Sequence, residues 1–226
     1  FRLFRAGAFG QLEIDGRIVG LFPADFLDSI TVNGSNDDDT LTVDLSTGPL
    51  SVPITFNGMS STGDNDQLRI VGSGTENSVY VPSATINGDG VITVTGNDIT
   101  FTDLEPIEVT NMASFTLRTP NSQDDITLSA ARNFANTDDA LLISGTSGST
   151  GTPGTPLGFE SVRILDVVDL TIDLAAGDGA SPNDTVTIEN GALLFDPTDM
   201  LTDITILAGQ GNDVFEIQDS EFQLPG

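Results

Sequence analysis

Apolar and polar residues alternate along this chain in short runs: Leu12-Glu-Ile14, Ile30-Thr-Val32, Ile54-Thr-Phe56, Ile107-Glu-Val109, Leu170-Thr-Ile172 and Ile204-Thr-Ile206. A period of two places the apolar side chains on one face and the polar ones on the other, so these runs predict short strands with one buried and one wet face. Turn residues separate them, as at Asn33-Gly34, Asn57-Gly58, Asn87-Gly88 and Asn190-Gly191. The strongest helical signal, Ser129-Ala-Ala-Arg-Asn-Phe134, is short and uncapped. The chain is expected to be all-β.

Many of these strands follow an acid. The copies read Asp39-Thr-Leu-Thr-Val43, Asp66-Gln-Leu-Arg-Ile70, Asn97-Asp-Ile-Thr-Phe101, Asp124-Asp-Ile-Thr-Leu128, Asp184-Thr-Val-Thr-Ile188 and Asp213-Val-Phe-Glu-Ile217. The intervals are 27, 31, 27, 60 and 29 residues, so the span from 39 to 213 divides into six steps of 29 if one copy is missing near 154. That position falls in a low-complexity stretch, 145–158. A longer match supports the repeat: Ser29-Ile-Thr-Val32 with Asp39 recurs as Ser114-Phe-Thr-Leu117 with Asp124, at a constant offset of 85. Periods of 20 to 50 residues mark stacked-repeat architectures.

Two architectures accommodate short strands at this spacing: a parallel β-helix or β-solenoid with coils of about 29 residues, and tandem β-sandwich domains. Asn-Gly turns favour antiparallel hairpins. The recurring loop favours the solenoid, because a coil returns the same loop to the same place on every turn. On that reading residues 1–8 are an N-terminal assembly segment, 9–144 and 159–226 are solenoid blocks, and 145–158 is an insertion or linker.

Composition narrows the function classes. The chain has 226 residues and a net charge of −27, with seven Arg and no Lys, His, Cys or Trp. Nucleic acid and anionic membranes are poor partners for such a surface, since their affinity rests on basic contacts to phosphate. Thiolate sites, disulfides, imidazole bases and Schiff-base lysines are all excluded by residue type. No apolar run reaches membrane-spanning length, so no membrane insertion is expected. The opening residue is Phe1, which is expected of a processed or excised piece.

Stacked coils would bring successive acids about 4.8 Å apart, where each pair repels by roughly 3 kcal/mol at an effective dielectric near 20. Hard oxygen ligands on flexible Gly- and Asp-rich loops suit Ca²⁺. The expected ligands are Asp37, Asp39, Asp64, Asp66, Asp124, Asp184, Gly209, Gly211 and Asp213. A plainer account is that Asp and Asn cap turns and accept backbone hydrogen bonds.

The segment Ala208-Gly-Gln-Gly-Asn-Asp-Val-Phe-Glu216 resembles the calcium-binding nonapeptide of repeat-in-toxin proteins, Gly-Gly-x-Gly-x-Asp-x-apolar-x, with Ala208 in place of the first Gly. The resemblance implies that Gly209 and Gly211 permit the turn, that Asp213 and backbone carbonyls bind Ca²⁺, and that Phe215 enters a core. It covers nine residues, and the family uses consecutive copies where this chain has one. More broadly, Ser29-Ile-Thr-Val-Asn-Gly-Ser-Asn-Asp-Asp-Asp-Thr-Leu-Thr-Val43 and Phe101-Thr-Asp-Leu-Glu-Pro-Ile-Glu-Val109 are similar to the Asp/Gly-rich repeats of large exported bacterial surface proteins of the planctomycete-like kind. That similarity implies an extracellular, structural or adhesive role.

The expectation is therefore a non-enzymatic, calcium-stabilised module of a surface layer, adhesin stalk or filament. It would join like subunits end to end, as a homopolymer or within a larger parent chain, through the apolar and basic segment Phe1, Arg2, Leu3, Phe4 and Arg5. A β-helix enzyme or binding module acting on polysaccharides is the alternative. Its weakness is that acids such as Asp124 and Asp125 adjoin on a strand and point to opposite faces. An ice-binding face built from Thr-x-Thr pairs, as at Thr40 and Thr42, is a third possibility, although Thr is common on any wet strand face.

Overall fold

A computed structural model describes residues 1–23, 27–59, 65–121, 123–148, 156–179, 183–193 and 200–218. The described chain is all-β, and its strands join in one mixed sheet. One 3₁₀ turn, Ala175–Gly177, is the sole helical element among the described residues.

The strands are β1 Arg2–Ala6, β2 Phe9–Ile14, β3 Arg17–Pro23, β4 Ile30–Asn33, β5 Thr40–Asp44, β6 Ile54–Asn57, β7 Gln67–Val71, β8 Asn77–Pro82 and β9 Gly90–Val94. They continue with β10 Asn97–Thr102, β11 Ile107–Arg118, β12 Asp125–Arg132, β13 Asp139–Ser147, β14 Leu157–Gly158, β15 Val162–Asp173, β16 Thr185–Ile188, β17 Asp203–Leu207 and β18 Val214–Ile217.

Parallel, in-register pairing arranges most of these in four columns. The first holds β4, β6 and β10; the second holds β1, β5, β7 and the leading halves of β11 and β15. The third holds β8, the trailing halves of β11 and β15, and β17; the fourth holds β12, β16 and β18. Like residues therefore stack on like. Leu41, Leu68, Ile107 and Val162 form one fully buried row, and Leu3, Val43, Ile70, Val109 and Ile164 form the next. Each such side chain removed from water contributes about 1.5–3 kcal/mol.

Antiparallel excursions interrupt the columns. At the N-terminal end, β2 and β3 fold back beside β1. Further on, β8, β9 and β10 form a meander, with Asn87-Gly88 in the β8–β9 connection. Finally β13 runs antiparallel to β12 and pairs with both β14 and β15.

Several sequence expectations are corrected by this register. Asn33-Gly34 and Asn57-Gly58 do not close hairpins; they end the parallel strands β4 and β6, and Asn57 Nδ2 donates to Asn33 Oδ1 at 2.6 Å. The all-β expectation holds even at the short helical signal, whose residues 129–132 belong to β12. The copy at Asn97–Phe101 belongs to the first column, stacked on β6, and not with the acid-led strands. Position 154 lies outside the described residues, but β12 pairs directly with β16. The 60-residue interval is thus one step of the fourth column, and its extra length includes the β13–β14 excursion.

Candidate functional site

The acids ahead of the strands converge in two rows. In the fourth column, Asp124, Asp184 and Asp213 stand in register immediately before β12, β16 and β18. In the second, Asp39 and Asp66 precede β5 and β7. Extending the register of β7, β11 and β15 by two residues sets Glu105 and Glu160 into the same row.

One hydrogen-bond motif joins successive aspartates. The Asp39 N–H donates to Asp66 Oδ1 at 2.8 Å, the Asp124 N–H to Asp184 Oδ1 at 2.8 Å, and the Asp184 N–H to Asp213 Oδ1 at 3.1 Å. In return, the residue after each lower aspartate donates its N–H to the carbonyl of the upper one, as Gln67 does to Asp39 and Thr185 to Asp124. The preceding positions add a second link: Asn65 N–H donates to Asp38 Oδ1 at 3.0 Å, and Asn212 N–H to Asn183 Oδ1 at 2.8 Å. One oxygen of each lower carboxylate therefore does what the turn-capping account requires, holding a backbone donor that would otherwise be orphaned.

Burial grades along the rows. Asp66, Asp124 and Asp184 are fully buried, Asp39 and Asp213 half-buried, and Asp37 exposed. Asp64 lies outside the described residues. Both Gly209 and Gly211 take left-handed backbone (φ 79° and 132°), and a Cβ on Gly209 would fall on the Asp178 carboxylate. The Asp178 Oδ2 accepts the Gln210 N–H at 2.8 Å. The nonapeptide-like loop thus sits one level along from Asp178 and Asp184.

Within the fourth column, Thr119 Oγ1 donates to Asp124 Oδ2 at 2.6 Å, while Asp124 Oδ1 and Asp184 Oδ2 have no hydrogen-bond partner among the described residues. Burial, chiefly, pushes the Asp124 carboxyl up to about 7; the hydroxyls of Thr119 and Ser147 oppose this, and the charges of Asp184 and Asp178 add to it. Asp184 is raised by burial and by Asp178 and Asp213, against the lowering effect of the Asp124 N–H. In the second column burial, then the charge of Glu105, lifts Glu160 to about 8; the Ser161 N–H and hydroxyl and Arg163 oppose the rise. No group of three or more acidic side chains among the described residues is close enough to cage a metal by itself.

Sequence reasoning missed Glu105, Glu160, Asp178 and Asn121. The signal for the first two was present: Glu105-Pro-Ile-Glu-Val109 and Glu160-Ser-Val-Arg-Ile164 repeat the acid, any, apolar, polar, apolar order of Asp66-Gln-Leu-Arg-Ile70. Phe1 to Arg5, expected to reach a neighbouring subunit, are instead paired within the chain. β1 is bonded on one edge to β2 and on the other to β5, Leu3 is buried, and Arg2 forms an ion pair with Asp44 at 2.6 Å.

Close approach around Asp66 gives a direct test of this geometry. A Cβ on Gly58 would fall on the Asp103 carbonyl oxygen and lie 2.6 Å from Asp66 Oδ2. Gly58→Ala is expected to destabilise the protein by about 1–3 kcal/mol, as overpacking does in a close-packed interior. The shift in urea midpoint measures it, and an unchanged midpoint would mean that the Asp66 row is looser than described.

Two cavities, each of about 20 Å³, lie beside Ile164 and Val167 and beside Leu45 and Val94. Each has room for about one water. No family model matches the chain, and neither a curated protein nor a solved structure shows significant similarity to it.

Proposed function

We propose that this chain is a β-solenoid segment that serves as a non-catalytic structural module, joining like modules end to end in an extracellular layer, stalk or filament. The observation that carries this reading is the state of the last coil. Phe215 and Ile217 of β18 continue the rows of buried Val186 and Ile188, yet both are about 52% exposed. Among the described strands β17 pairs only with β15, and β18 only with β16. An unpaired strand end with an apolar inner face accepts another strand.

Charge favours a like module as that partner. Residues 1–23 carry Arg2, Arg5 and Arg17 against Glu13 and Asp15, a net +1, whereas residues 200–218 carry Asp203, Asp213 and Glu216 and no basic residue. The N-terminal end also exposes Phe9, Ile18, Val19 and Leu21, and β3 pairs only with β2 among the described strands. An apolar, mildly basic edge thus stands at one end of the chain and an apolar, acidic edge at the other. Such a heterologous contact builds open chains unless its rotation closes a ring.

Sedimentation velocity over a range of concentrations tests the reading. The wild-type protein is expected to form a ladder of oligomers that Phe215→Asp reduces to monomer with its circular dichroism unchanged. A wild-type protein that stays monomeric at every concentration, or oligomers that persist in the variant, would overturn it.

A further inference from the structure

We propose that the step between Asp124 and Asp184 is a binding site for one hard divalent cation, Ca²⁺, held by these two carboxylates together with neutral oxygens of the adjoining loop. This goes beyond the assembly reading, because the site lies inside one chain, between β12 and β16.

Three observations lead to it. The first is unmet demand: Asp124 Oδ1, Asp184 Oδ2, Asp178 Oδ1 and Asn121 Oδ1 are buried atoms without a hydrogen-bond partner among the described residues, and Asp124, Asp184 and Asn121 are at most 2% exposed as residues. All four are oxygens, and they lie on two successive loops of one column. Elsewhere, a buried carboxylate left in this state costs several kcal/mol.

The second is how the two loops are fastened. The Asp184 carboxylate is fixed by the Asp124 N–H through Oδ1, which leaves Oδ2 open, and the Asp124 carboxylate is fixed by the Thr119 hydroxyl through Oδ2, which leaves Oδ1 open. The Ser147 hydroxyl accepts the Asn121 N–H at 3.2 Å, which ties the loop ahead of β12 to the end of β13. Gly177 packs so close beneath that a Cβ would lie 2.6 Å from the Asn121 nitrogen. The loops are thus held together while their open oxygens stay unused.

The third is charge. Asp124 and Asp184 repel each other, and Asp178 and Asp213 add to the repulsion. No positively charged side chain within the described ion pairs serves these residues. Ca²⁺ accepts six to eight oxygens in flexible geometry, so two carboxylates, an amide oxygen, backbone carbonyls and water suffice. Mg²⁺ demands near-octahedral placement and keeps its waters, and it is expected to bind more weakly.

The experiment adds CaCl₂ alone to the full chain freed of divalent ions by chelation, and follows thermal unfolding together with the calorimetric stoichiometry. The wild-type midpoint is expected to rise by about 5–10 °C at saturation, with one ion bound at this step. Asp184→Asn, which keeps an acceptor for the Asp124 N–H, should lose that ion and most of the shift. Exposed Asp98→Asn, which removes the same charge elsewhere, should keep both. If Asp184→Asn fails to fold, Asn121→Ala replaces it and should weaken Ca²⁺ binding about tenfold. No shift and no heat in the wild type, or an Asp184→Asn response equal to that of the wild type, would overturn the site. Neither result bears on end-to-end assembly, which is read by sedimentation.

Discussion

Tyr80→Ala is expected to destabilise the protein by about 3–5 kcal/mol, the range for removing a large aromatic side chain from a close-packed interior. Tyr80 is fully buried in β8, where the third column begins and the chain turns into the antiparallel meander. Its ring lies 5.9 Å from Phe101 and meets Phe159 edge-on at 6.3 Å, so it joins β8 to β10 and to the segment ahead of β15. Along the column it stacks on Leu117, and across the hairpin it faces Ile92. The hydroxyl donates to the Glu160 carbonyl at 3.0 Å, and burial holds its pKa well above the usual tyrosine value, so it remains a donor at any physiological pH. Tyr80→Phe removes only that bond and should cost about 1 kcal/mol. Equilibrium urea unfolding separates the two effects. A Tyr80→Ala cost no larger than that of Tyr80→Phe would show that the ring does not join the meander to the column.

What could be read from the sequence follows from what periodicity encodes. Alternation in Leu170-Thr-Ile172 identifies which face is buried, and the structure buries Leu170 and Ile172; in Ile107-Glu-Val109 it fails, because Glu108 is buried along with Ile107 and Val109. Alternation carries no address for the neighbouring strand, because partner choice is a non-local matter of register. For this reason Asn97–Phe101, whose local pattern matches the acid-led strands, stacks on β6 in another column. The even spacing of 29 residues was likewise only an average. Actual steps between stacked acids are 27 from Asp39 to Asp66, 60 from Asp124 to Asp184 and 29 from Asp184 to Asp213, and the longest of them contains the antiparallel β13–β14 excursion.

The acidic rows were legible as stacked aspartates, but not as two separate rows. Asp39, Asp66, Asp124, Asp184 and Asp213 do line up, but Glu105 and Glu160 were hidden by a search for Asp followed directly by a polar–apolar pair. Nor does the sequence distinguish Asp37, which is exposed, from Asp66, which is buried. That difference decides the chemistry. An exposed carboxylate is solvated by water, whereas a buried one needs a donor, a proton or a cation.

For Glu160 the structure supplies the proton, and the stability of the protein is expected to fall as pH rises from about 5 to 8. The unfolded chain loses the Glu160 proton near the ordinary value of 4.5, but the folded chain retains it up to about 8 because burial and the Glu105 charge disfavour the carboxylate. Between those limits the folded state binds more protons than the unfolded one, so raising the pH draws the equilibrium toward unfolding. The limiting slope for one group is about 1.4 kcal/mol per pH unit, which gives an effect on the order of 3 kcal/mol across the window. Below about pH 4.5 both states hold the proton and the effect vanishes; above about 8 it is complete. Glu160→Gln keeps the size of the side chain and an oxygen for the Ser161 N–H, now 3.1 Å from Glu160 Oε1, but carries no titrating proton. Its stability should match that of the wild type near pH 5 and exceed it increasingly toward pH 8. Urea unfolding at intervals across this range measures the gap. Profiles that run parallel would mean that Glu160 is ionised in the folded protein, and that the row of Asp39, Asp66, Glu105 and Glu160 is wetter than its burial implies.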